Sequence, residues 1–344
     1  MKIAIVGGGT LGHIVPGLIL GSNLAKKHEI IYITTKKDKR FNIFNKHKYL
    51  KKVYYIDSSG LSKNILTNIK IFFKDLKAMY QINKIVNSEQ IDLLIGMGGY
   101  ISGLTIFVAN NLNIKTMIHE QNSVMGLANK LNLKKTNKLL LSYEDNTLKK
   151  YQDKITIIPN PRYTDALTLN KLNNKKHILI TSGTNGSKFI NTIMCDLLNI
   201  YDFPKYTITF ITGKKYYDDV VKNIIKKPNI QILPFTNDLL KEMNLSSLVI
   251  SRAGSSSLYE ILGLKKLSII IPSPNVTNNH QYYNAMEIVT NGLGEIISDD
   301  DVIKKIHKVN NHYNDYVTNI KRYKKKYNLN KIINIIEEEL ISIN

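Results

Sequence analysis

The chain has 344 residues, 43% of them hydrophobic, and its 48 Lys and Arg against 27 Asp and Glu give a formal net charge of +21. At roughly 150 residues per domain, this length predicts about two domains, each with its own core. The apolar share excludes a disordered chain. The single cysteine, Cys195, excludes an internal disulfide and a cysteine-based zinc cluster, and it favours a reducing compartment.

The chain carries no membrane-spanning pattern, because no segment reaches the roughly 18 to 20 consecutive apolar residues of such a helix. We also expect no signal peptide, since only Ile3–Val6 are apolar before three glycines intervene. A cytoplasmic protein is therefore predicted. The positive excess indicates phosphate-rich partners (nucleic acid, an anionic membrane or charged substrates) or a compositional drift towards Lys, Asn and Ile.

Short apolar runs alternate with longer amphipathic stretches, a pattern typical of βα units around a parallel sheet. The predicted strands of the first half are Ile3–Val6, Ile30–Thr34, Val53–Ile56, Leu93–Ile95, Thr116–Ile118 and Lys138–Leu141. Those of the second half are His177–Thr181, Thr207–Ile211, Ile230–Leu233, Leu248–Ile250 and Ser268–Ile271.

Pro159 and Pro161 interrupt regular structure between the two series of strands, and we place the domain boundary there. Each half opens with a buried strand, a glycine-rich turn and a helix. The sequence therefore predicts an α/β protein with two Rossmann-like, doubly wound domains, residues 1–162 and 163–344, that face a central cleft. The helical pattern from Asp315 onward predicts a terminal helix, and this helix can pack on the N-terminal domain.

The first glycine-rich turn, Gly7–Gly12, matches the dinucleotide fingerprint between a strand and a helix. Its glycines allow backbone N–H groups to approach a phosphate at a helix N-terminus, which indicates an anionic ligand rather than NAD in particular. Lys36 and Lys37 stand where a ribose-binding acid belongs, and Asp38 comes late. The two lysines keep an NADP-dependent oxidoreductase open as an alternative.

His13 directly follows this turn, on the first turn of the predicted helix, and points towards whatever the loop holds. A helix N-terminus disfavours an imidazolium, so a neutral His13 is expected that can accept a proton. The alternative is a histidine that caps or packs the helix.

Two further segments follow strands of the first half. Gly96–Gly103 is a second glycine-rich cluster, which favours backbone donors aimed at an anion or, alternatively, a flexible connection. His119–Asn122 places four polar side chains at the carboxyl end of a strand, where open α/β sheets bind their ligands. The spacing of this tetrad does not fit a metal site, because neighbours on a strand point to opposite faces.

In the second half, Ser251–Glu260 follows a strand and begins a helix. Its serine hydroxyls and helix N–H groups suit a diphosphate, and Glu260 suits sugar hydroxyls. The alternative is simple helix initiation, since Ser257 and Glu260 have capping-box spacing. Pro272–Ala285 adds an amide-rich loop, and amides read hydroxyl-rich sugars well because they both donate and accept hydrogen bonds.

Taken together and in this order, the motifs from Gly7 to Ala285 resemble those of the MurG family. Enzymes of that family transfer N-acetylglucosamine from UDP-N-acetylglucosamine (UDP-GlcNAc) to undecaprenyl-pyrophosphoryl-N-acetylmuramoyl-pentapeptide (lipid I), giving lipid II for peptidoglycan. The resemblance implies the GT-B fold, with the acceptor in the N-terminal half and the donor mainly in the C-terminal half. It implies no cofactor and no metal ion.

The resemblance also implies residue roles, with His13 as the general base. The implied acceptor-binding residues are Gly8, Gly9, Gly98, Gly99, Tyr100, Ser102, His119 and Glu120. The implied donor-binding residues are Thr10, Leu11, Gly12, Asn122, Arg162, Thr184, Thr236, Ser255, Ser256, Ser257, Glu260 and Gln281. Within the donor set, the three serines face the diphosphate, Glu260 the ribose and Gln281 the sugar, with Phe235 and Thr236 beside the uracil.

The chain departs from the family pattern at two places. Leu11 replaces a glycine of the first loop, G-G-T-G-G-H. Asn160-Pro161-Arg162-Tyr163 stands where the family has N-P-x-R, so that Arg162 comes one position early and Tyr163 occupies the arginine position.

The reaction implied is an inverting glycosyl transfer, in which the muramoyl hydroxyl attacks the anomeric carbon and His13 accepts its proton. Helix N-termini and hydroxyl donors stabilise the leaving UDP. The lipid-linked acceptor places the protein peripherally on the cytoplasmic face of the cell membrane, with other cell-wall synthesis proteins as candidate partners.

A specific membrane contact is predicted within residues 36–77. Lys36–Lys52 carries eight Lys and Arg against one acid. The apolar residues that follow are Leu61, Ile65, Ile69, Ile71, Phe72 and Phe73, flanked by Lys63, Lys70, Lys74 and Lys77. Such a segment can lie on an anionic inner leaflet, each basic residue contributing roughly 1 kcal/mol. The alternative is that these apolar residues belong to the core.

Three other functions remain to be weighed. A GT-B enzyme with another lipid acceptor, such as diacylglycerol, shares the second-domain pattern but not His119–Asn122. The NADP-dependent oxidoreductase leaves Ser251–Gln281 unexplained. A nucleic-acid-binding protein is not expected, since the chain shows no recognition helix, zinc spacing or aromatic platform motif.

Overall fold

The computed structural model describes residues 1–60, 65–169, 176–183, 185–274, 276–297, 302–323 and 329–341. The chain divides into two units. The first unit runs from Met1 to Pro161 and takes in the C-terminal helix, and the second begins at Arg162. Thr184, Leu61 and Lys63 lie outside the described residues, as does the side chain of Ile65.

The first unit is built on a seven-stranded parallel sheet. Its strands are β1 (Lys2–Val6), β2 (Glu29–Thr35), β3 (Leu50–Ile56), β4 (Leu93–Gly96), β5 (Lys115–Glu120), β6 (Lys138–Leu141) and β7 (Ile155–Ile157). Its helices are α1 (Leu11–Leu24), α2 (Ile65–Glu89), α3 (Tyr100–Asn111) and α4 (Leu127–Lys130), with short 3₁₀ turns at Lys36–Phe41, Phe44–Lys46 and Asn146–Lys154. The strand order is β3-β2-β1-β4-β5-β6-β7.

β1 lies inside this sheet, with Ile3 opposite Ile30 of β2 on one side and opposite Leu93 of β4 on the other. Successive side chains of a strand point to opposite faces, and both faces of β1 are apolar because helices cover both. Ala4 and Val6 pack in the cluster on the α2 and α3 side. Ile3 and Ile5 pack in the other cluster, with α1 and with the C-terminal helix.

The second unit is built on a six-stranded parallel sheet of order β10-β9-β8-β11-β12-β13. Its strands are β8 (His177–Thr181), β9 (Thr207–Ile211), β10 (Ile230–Leu233), β11 (Leu248–Arg252), β12 (Leu267–Ile271) and β13 (Gly294–Ile296). Its helices are α5 (Pro161–Leu167), α6 (Lys188–Ile200), α7 (Tyr217–Asn223), α8 (Leu239–Leu245), α9 (Ser255–Leu264), α10 (His280–Thr290), α11 (Val302–Asn311) and α12 (Tyr313–Arg322).

The C-terminal helix, α13 (Leu329–Ile341), belongs to the first unit. Ile332, Ile336 and Leu340, one face of α13, are buried in the same cluster as Ile3 and Ile5. At its surface, Glu337 pairs with Lys27 at 2.9 Å. The second unit is therefore an insertion between the first sheet and the helix that completes its core.

The expectation of two parallel-sheet, Rossmann-like domains is confirmed, and the predicted strands all form. Because every strand pair is parallel, the loops that follow the strands of one sheet meet at one edge of it. In the first unit this edge carries Gly7–Gly9, Lys36–Phe41, Met97–Gly99 and Gln121. Within the described ranges, no helix combines the length and apolar character needed to cross a bilayer.

Candidate active site

The first glycine-rich loop is closed by a buried carboxylate. Gly9 N donates to both oxygens of Asp38, at 3.1 and 3.0 Å. Asp38 is fully buried and also accepts from the hydroxyls of Thr34 (2.8 Å) and Thr35 (2.7 Å). The N–H of Gly9 is thus satisfied within the protein. Sequence reasoning treated Asp38 only as a late ribose-binding acid, although its position after β2, the neighbour of β1, could have indicated this contact.

His13 lies on the first turn of α1, after Thr10, Leu11 and Gly12. Its Nδ1 lies 3.1 Å from the carbonyl oxygen of Gly8, and a carbonyl only accepts, so Nδ1 carries the hydrogen. In the neutral imidazole, Nε2 then holds the free lone pair. The contact therefore makes Nε2 the atom able to accept a proton.

The second glycine-rich loop packs directly against the first and against His13. Gly98 and Gly99 have φ of +97° and +84°, which favour glycine. A Cβ on Gly99 would lie 2.4 Å from the carbonyl oxygen of Gly8, and one on Gly98 would lie 2.8 Å from His13 Cδ2. Only glycine fits at either place, so the structure brings together Gly8, His13, Gly98 and Gly99.

The residues after Gly99 open α3. Tyr100 donates its hydroxyl to Asp75 of α2 at 2.7 Å. Ser102 is fully buried, and a Cβ on Gly96 would lie 2.5 Å from its Oγ. Ser102 therefore faces the interior beside β4, whereas Tyr100 lies at the loop itself.

His119 is buried behind the second loop. Gln121 Nε2 donates to His119 Nδ1 at 2.9 Å and to the carbonyl oxygen of Met97 at 2.8 Å, immediately before Gly98. Burial lowers the pKa of His119 to about 3, so this histidine is neutral at physiological pH. His119 is therefore linked to the second glycine-rich loop by the hydrogen bonds of Gln121 and makes no direct hydrogen bond to that loop among the described residues.

Glu120 holds the loop that follows β5. Its carboxylate is buried and accepts from Asn122 N at 3.0 Å, from Asn122 Nδ2 at 3.2 Å and from Asn129 Nδ2 at 2.8 Å. Gly126 N donates to the same carboxylate at 3.1 Å. Asn122 is half-buried and fixed in position by this carboxylate.

In the second unit, the loop after β8 lies beside an arginine that sequence reasoning did not select. A Cβ on Gly183 would lie 3.7 Å from Cδ of Arg252 and 3.9 Å from its Nη1. The Nε of Arg252 is buried and has no hydrogen-bond partner among the described residues. Burial lowers the pKa of Arg252, which leaves a desolvated cation at the edge of the second sheet. The position of Arg252 at the carboxyl end of β11 could have indicated a binding residue from the sequence alone.

Ser255, Ser256 and Ser257 form the first turn of α9, with Gly254 at the N-cap. The segment begins a helix, as the alternative expected, but Gly254 is its N-cap and Ser257 lies inside it, so Ser257 and Glu260 form no capping box. The helix N-terminus and its three hydroxyls therefore follow Arg252 directly at the sheet edge.

Arg162 and Glu260 contact each other. Glu260 is buried and accepts from Arg162 Nε at 2.5 Å, and Asp165 pairs with Arg162 at 2.6 Å. Burial opposes the charge of Arg162, but Glu260 and Asp165 outweigh it and raise the pKa of that guanidinium. Tyr163 is buried, with its ring 6.3 Å from that of Tyr259. Tyr163 therefore packs in the core, and Arg162 is the residue that forms the ion pair.

The remaining predicted donor residues are placed by loops of the second unit. Gln281, at the start of α10, is buried and accepts from Ser273 N at 2.9 Å. Thr236 accepts from Asp238 N at 3.3 Å, and the ring of Phe235 lies 5.2 Å from Lys214 Nζ. Across the described ranges, no three His, Cys, Asp or Glu side chains gather as metal ligands.

Family models match both units. The model described as the glycosyltransferase family 28 N-terminal domain matches residues 3–141, and that of the C-terminal domain matches residues 177–338. Among solved structures, MurG of Acinetobacter baumannii superposes with a TM-score of 0.74 at 21% identity, covering 98% of this chain and 100% of that one. The UDP-GlcNAc 2-epimerase of Neisseria meningitidis superposes at 0.67 with 14% identity, over 99% and 100%. At these identities the likeness concerns the fold, and GT-B is confirmed.

Curated relatives are closer in sequence. A protein of Exiguobacterium sp. is 32% identical over 314 residues, 87% of each chain, and one of Leuconostoc citreum is 32% identical over 321 residues, 88% of this chain and 86% of the other. Both are named UDP-N-acetylglucosamine--N-acetylmuramyl-(pentapeptide) pyrophosphoryl-undecaprenol N-acetylglucosamine transferase. The oxidoreductase alternative is thereby wrong. The chain is a glycosyltransferase of family 28 and belongs to the family of these N-acetylglucosamine transferases, as its motifs predicted.

Proposed function

We propose that the protein transfers N-acetylglucosamine from UDP-GlcNAc to the muramoyl hydroxyl of undecaprenyl-pyrophosphoryl-N-acetylmuramoyl-pentapeptide, forming lipid II with inversion at the anomeric carbon. Family membership supports the substrates. The observation that carries the chemistry is the contact between His13 Nδ1 and the Gly8 carbonyl, since it leaves Nε2 as the proton acceptor.

His13 accepts the proton of the muramoyl hydroxyl as that oxygen bonds to the anomeric carbon and the bond to UDP breaks. General-base catalysis of this kind is worth about 10²–10⁴-fold. Gly8, Gly98 and Gly99 contact His13, and together with Gly9 and Tyr100 they receive the acceptor diphosphate. The packing of Gly98 and Gly99 on His13 supports this role, because it holds the imidazole in one orientation.

His119, Glu120 and Ser102 act behind the acceptor loops. His119 orients Gln121, which holds the carbonyl before Gly98, and Glu120 orients Asn122 towards the donor sugar. Their burial favours positioning over direct ligand contact.

The second unit binds the nucleotide of the donor. Arg252 and the first turn of α9, with Ser255, Ser256 and Ser257, neutralise the diphosphate and stabilise UDP as it leaves. Support comes from the buried Nε of Arg252, a donor that a diphosphate oxygen would satisfy.

The other predicted donor residues keep the roles that the family resemblance implies. They line the ribose, uracil, sugar and diphosphate positions: Thr10, Leu11, Gly12, Arg162, Thr184, Thr236, Glu260 and Gln281.

Transfer is tested with radiolabelled UDP-GlcNAc and a lipid I analogue, with the linkage of the product determined by NMR. We expect a β-linked disaccharide product with the lipid I analogue and none with diacylglycerol. Transfer to diacylglycerol alone would establish the alternative lipid-acceptor enzyme, and absence of transfer to both would contradict the proposal.

The acceptor is lipid-linked, and we propose that α2 docks the protein on the cytoplasmic face of the membrane. An apolar stripe along this helix is exposed: Ile69, Phe72, Phe73, Leu76 and Tyr80. Phe73 and Tyr80 are 66% and 74% exposed, whereas Ile71 is buried in the core. Lys70, Lys77 and Lys84 lie exposed along one side of the stripe.

Docking is tested by sedimentation with vesicles of phosphatidylcholine, with and without phosphatidylglycerol. We expect binding to the anionic vesicles, and its loss in a Phe72→Ser, Phe73→Ser variant. Equal binding to both vesicle types would contradict the electrostatic contribution of the lysines, and unchanged binding of the variant would contradict docking through α2.

A further inference from the structure

Helix α2 has one exposed apolar face and one buried face. The exposed stripe defined above occupies one side, and residues at intervening positions point inward: Ile71, Asp75, Ala78 and Ile82. Asp75 is the charged member of this inward face and is only 7% exposed. A carboxylate there must be satisfied by a specific donor, because leaving it unsatisfied is costly.

The side-chain donor is Tyr100, which acts beside a backbone hydrogen bond from Ser59. Its hydroxyl donates to Asp75 Oδ2 at 2.7 Å, and burial together with this bond raises the pKa of Tyr100 to about 12, so it remains a donor at physiological pH. Tyr100 directly follows Gly99, which packs on Gly8 and His13. The bond therefore links the inward face of α2 to the loop that encloses His13.

A second contact fixes the same part of α2. Lys74, beside Asp75, pairs with Asp57 at 2.6 Å and donates to Ser59 Oγ at 3.1 Å, both in the segment after β3. Gly60 of that segment lies against Tyr100. One turn of α2 is thus tied to the catalytic edge of the sheet, while its outer side carries Phe72 and Phe73.

We propose that Asp75 is a positioning residue: through Tyr100 it fixes the Gly98–Gly99 loop for the lipid-linked acceptor, and it couples this loop to the seating of α2 on an anionic bilayer. The inference deepens the proposed function and rests on it. Membrane docking then orders the loop that receives the acceptor diphosphate, and the donor half of the reaction is unaffected.

The chain contains a matched control. Tyr54 of β3 donates to Glu89, another tyrosine–carboxylate bond made by α2, but at the far end of the helix from the glycine-rich loop. Tyr54→Phe therefore removes the same kind of contact from the same helix without touching the loop.

The test measures KM for a lipid I analogue in phosphatidylglycerol-containing vesicles, and KM for UDP-GlcNAc, in Asp75→Ala, Asp75→Asn, Tyr100→Phe and the Asp75→Ala, Tyr100→Phe double variant. We expect Asp75→Ala to raise the acceptor KM about tenfold, the effect of one hydrogen bond to a charged group. Asn retains an acceptor oxygen and should restore KM to within about threefold. Tyr100→Phe should equal Asp75→Ala, and the double variant should be no worse.

Several results would overturn the inference: an unchanged acceptor KM in Asp75→Ala, additive effects in the double variant, or a Tyr54→Phe variant with the same defect. A rise in the KM of UDP-GlcNAc equal to that of the acceptor would indicate general misfolding and equally overturn it. Should Asp75→Ala not fold, Tyr100→Phe removes the same bond, and its hydrogen–deuterium exchange with and without anionic vesicles decides the matter.

Hydrogen–deuterium exchange separates this inference from the proposed function, because it needs no turnover. We expect anionic vesicles to slow exchange in residues 98–103 of the wild type but not of Tyr100→Phe, whereas Tyr54→Phe behaves as the wild type. Vesicles that protect α2 without changing residues 98–103 would overturn the coupling even if lipid II is made. Failure of transfer with this exchange pattern intact would contradict the proposed function alone.

Discussion

The loop after β1 and the loop after β8 are similar in sequence pattern, but the charged side chains that lie beside them have opposite signs. Both follow a buried parallel strand and lead into a helix. In the first unit, Gly9 N donates to the buried carboxylate of Asp38. In the second, Gly183 lies beside the guanidinium of Arg252, whose buried Nε lacks a partner among the described residues. A glycine-rich turn alone therefore does not determine which charged side chain lies beside it.

In each unit, the charged side chain beside the glycine-rich loop comes from a residue at or just after the end of an adjacent strand of the same sheet. Asp38 follows β2, which flanks β1, and Arg252 ends β11, which flanks β8. The first loop is thereby fixed from within and serves as a rigid support for His13. The second loop has at its edge a guanidinium whose Nε lacks a partner among the described residues, which suits a diphosphate ligand.

The largest expected effect tests the catalytic role that we propose for His13 beside the first loop. His13→Ala should lower kcat for transfer to a lipid I analogue about 10²–10⁴-fold, because the proton acceptor at Nε2 is lost. The KM of UDP-GlcNAc should change little. The measurement is steady-state kinetics, with thermal unfolding as the check on folding, and near-wild-type turnover would rule out a general base at this position.

The next effect tests the cation of the second loop. Arg252→Ala should raise the KM of UDP-GlcNAc about 10- to 100-fold, since hydrogen bonds between charged groups are lost. Arg322→Ala, an exposed arginine of the same unit, is the matched control and should leave KM unchanged. Isothermal titration with UDP measures the same loss without the acceptor. Equal affinity of Arg252→Ala and the control for UDP would remove Arg252 from the donor site.

A smaller effect tests the carboxylate of the first loop. Asp38→Asn puts an NH₂ group in place of an oxygen that accepts from backbone N–H and threonine hydroxyls. The free energy of unfolding should fall by about 1–3 kcal/mol, the cost of leaving buried donors unsatisfied. Denaturant unfolding measures it, with the exposed Asp153→Asn as control. If Asp38→Asn has the free energy of unfolding of the wild type, then the hydrogen bonds from Gly9 N–H to the Asp38 carboxylate do not contribute to stability.

The smallest effect concerns an acid that the second unit keeps away from its loop. Glu295 is bound by Lys305, Lys308 and Tyr316. Burial works against ionisation, but these donors outweigh it and lower the pKa of Glu295 to about 2, from an ordinary value of 4.5. Its contribution to stability is therefore complete above pH 4.5 and is lost as the pH falls towards 2.

Glu295→Gln should accordingly lower the free energy of unfolding by about 1–2 kcal/mol at pH 7, with the difference from wild type vanishing near pH 2. Denaturant unfolding across this pH range measures it. A difference that stays constant with pH would show that Glu295 contributes by packing and not by charge.

Much of the candidate active site at the edge of the first sheet could be predicted from the sequence, because it depends on local properties. The apolar runs fixed β1 and β4, and only glycine suits the positive φ of Gly98 and Gly99. The place of His13 on the first turn of α1 followed from the strand–turn–helix order. The exposed apolar side of α2 was predicted in part: Phe72 and Phe73 are exposed, but Ile71 belongs to the core.

The partners of the charged groups could not be predicted, because they lie far apart in the chain. Asp38 is 29 residues from Gly9, and Glu260 is 98 residues from Arg162. Arg162 and Glu260 were predicted to bind ligands, and their contact with each other was not predicted.

By itself, then, the sequence determined two parallel-sheet units, the family, and the loops of the candidate active site, since apolar periodicity and glycine placement act over a few residues. The tertiary structure alone decided which loop holds a carboxylate and which a cation, because the order of strands in each sheet selects the side chains that meet at its edge.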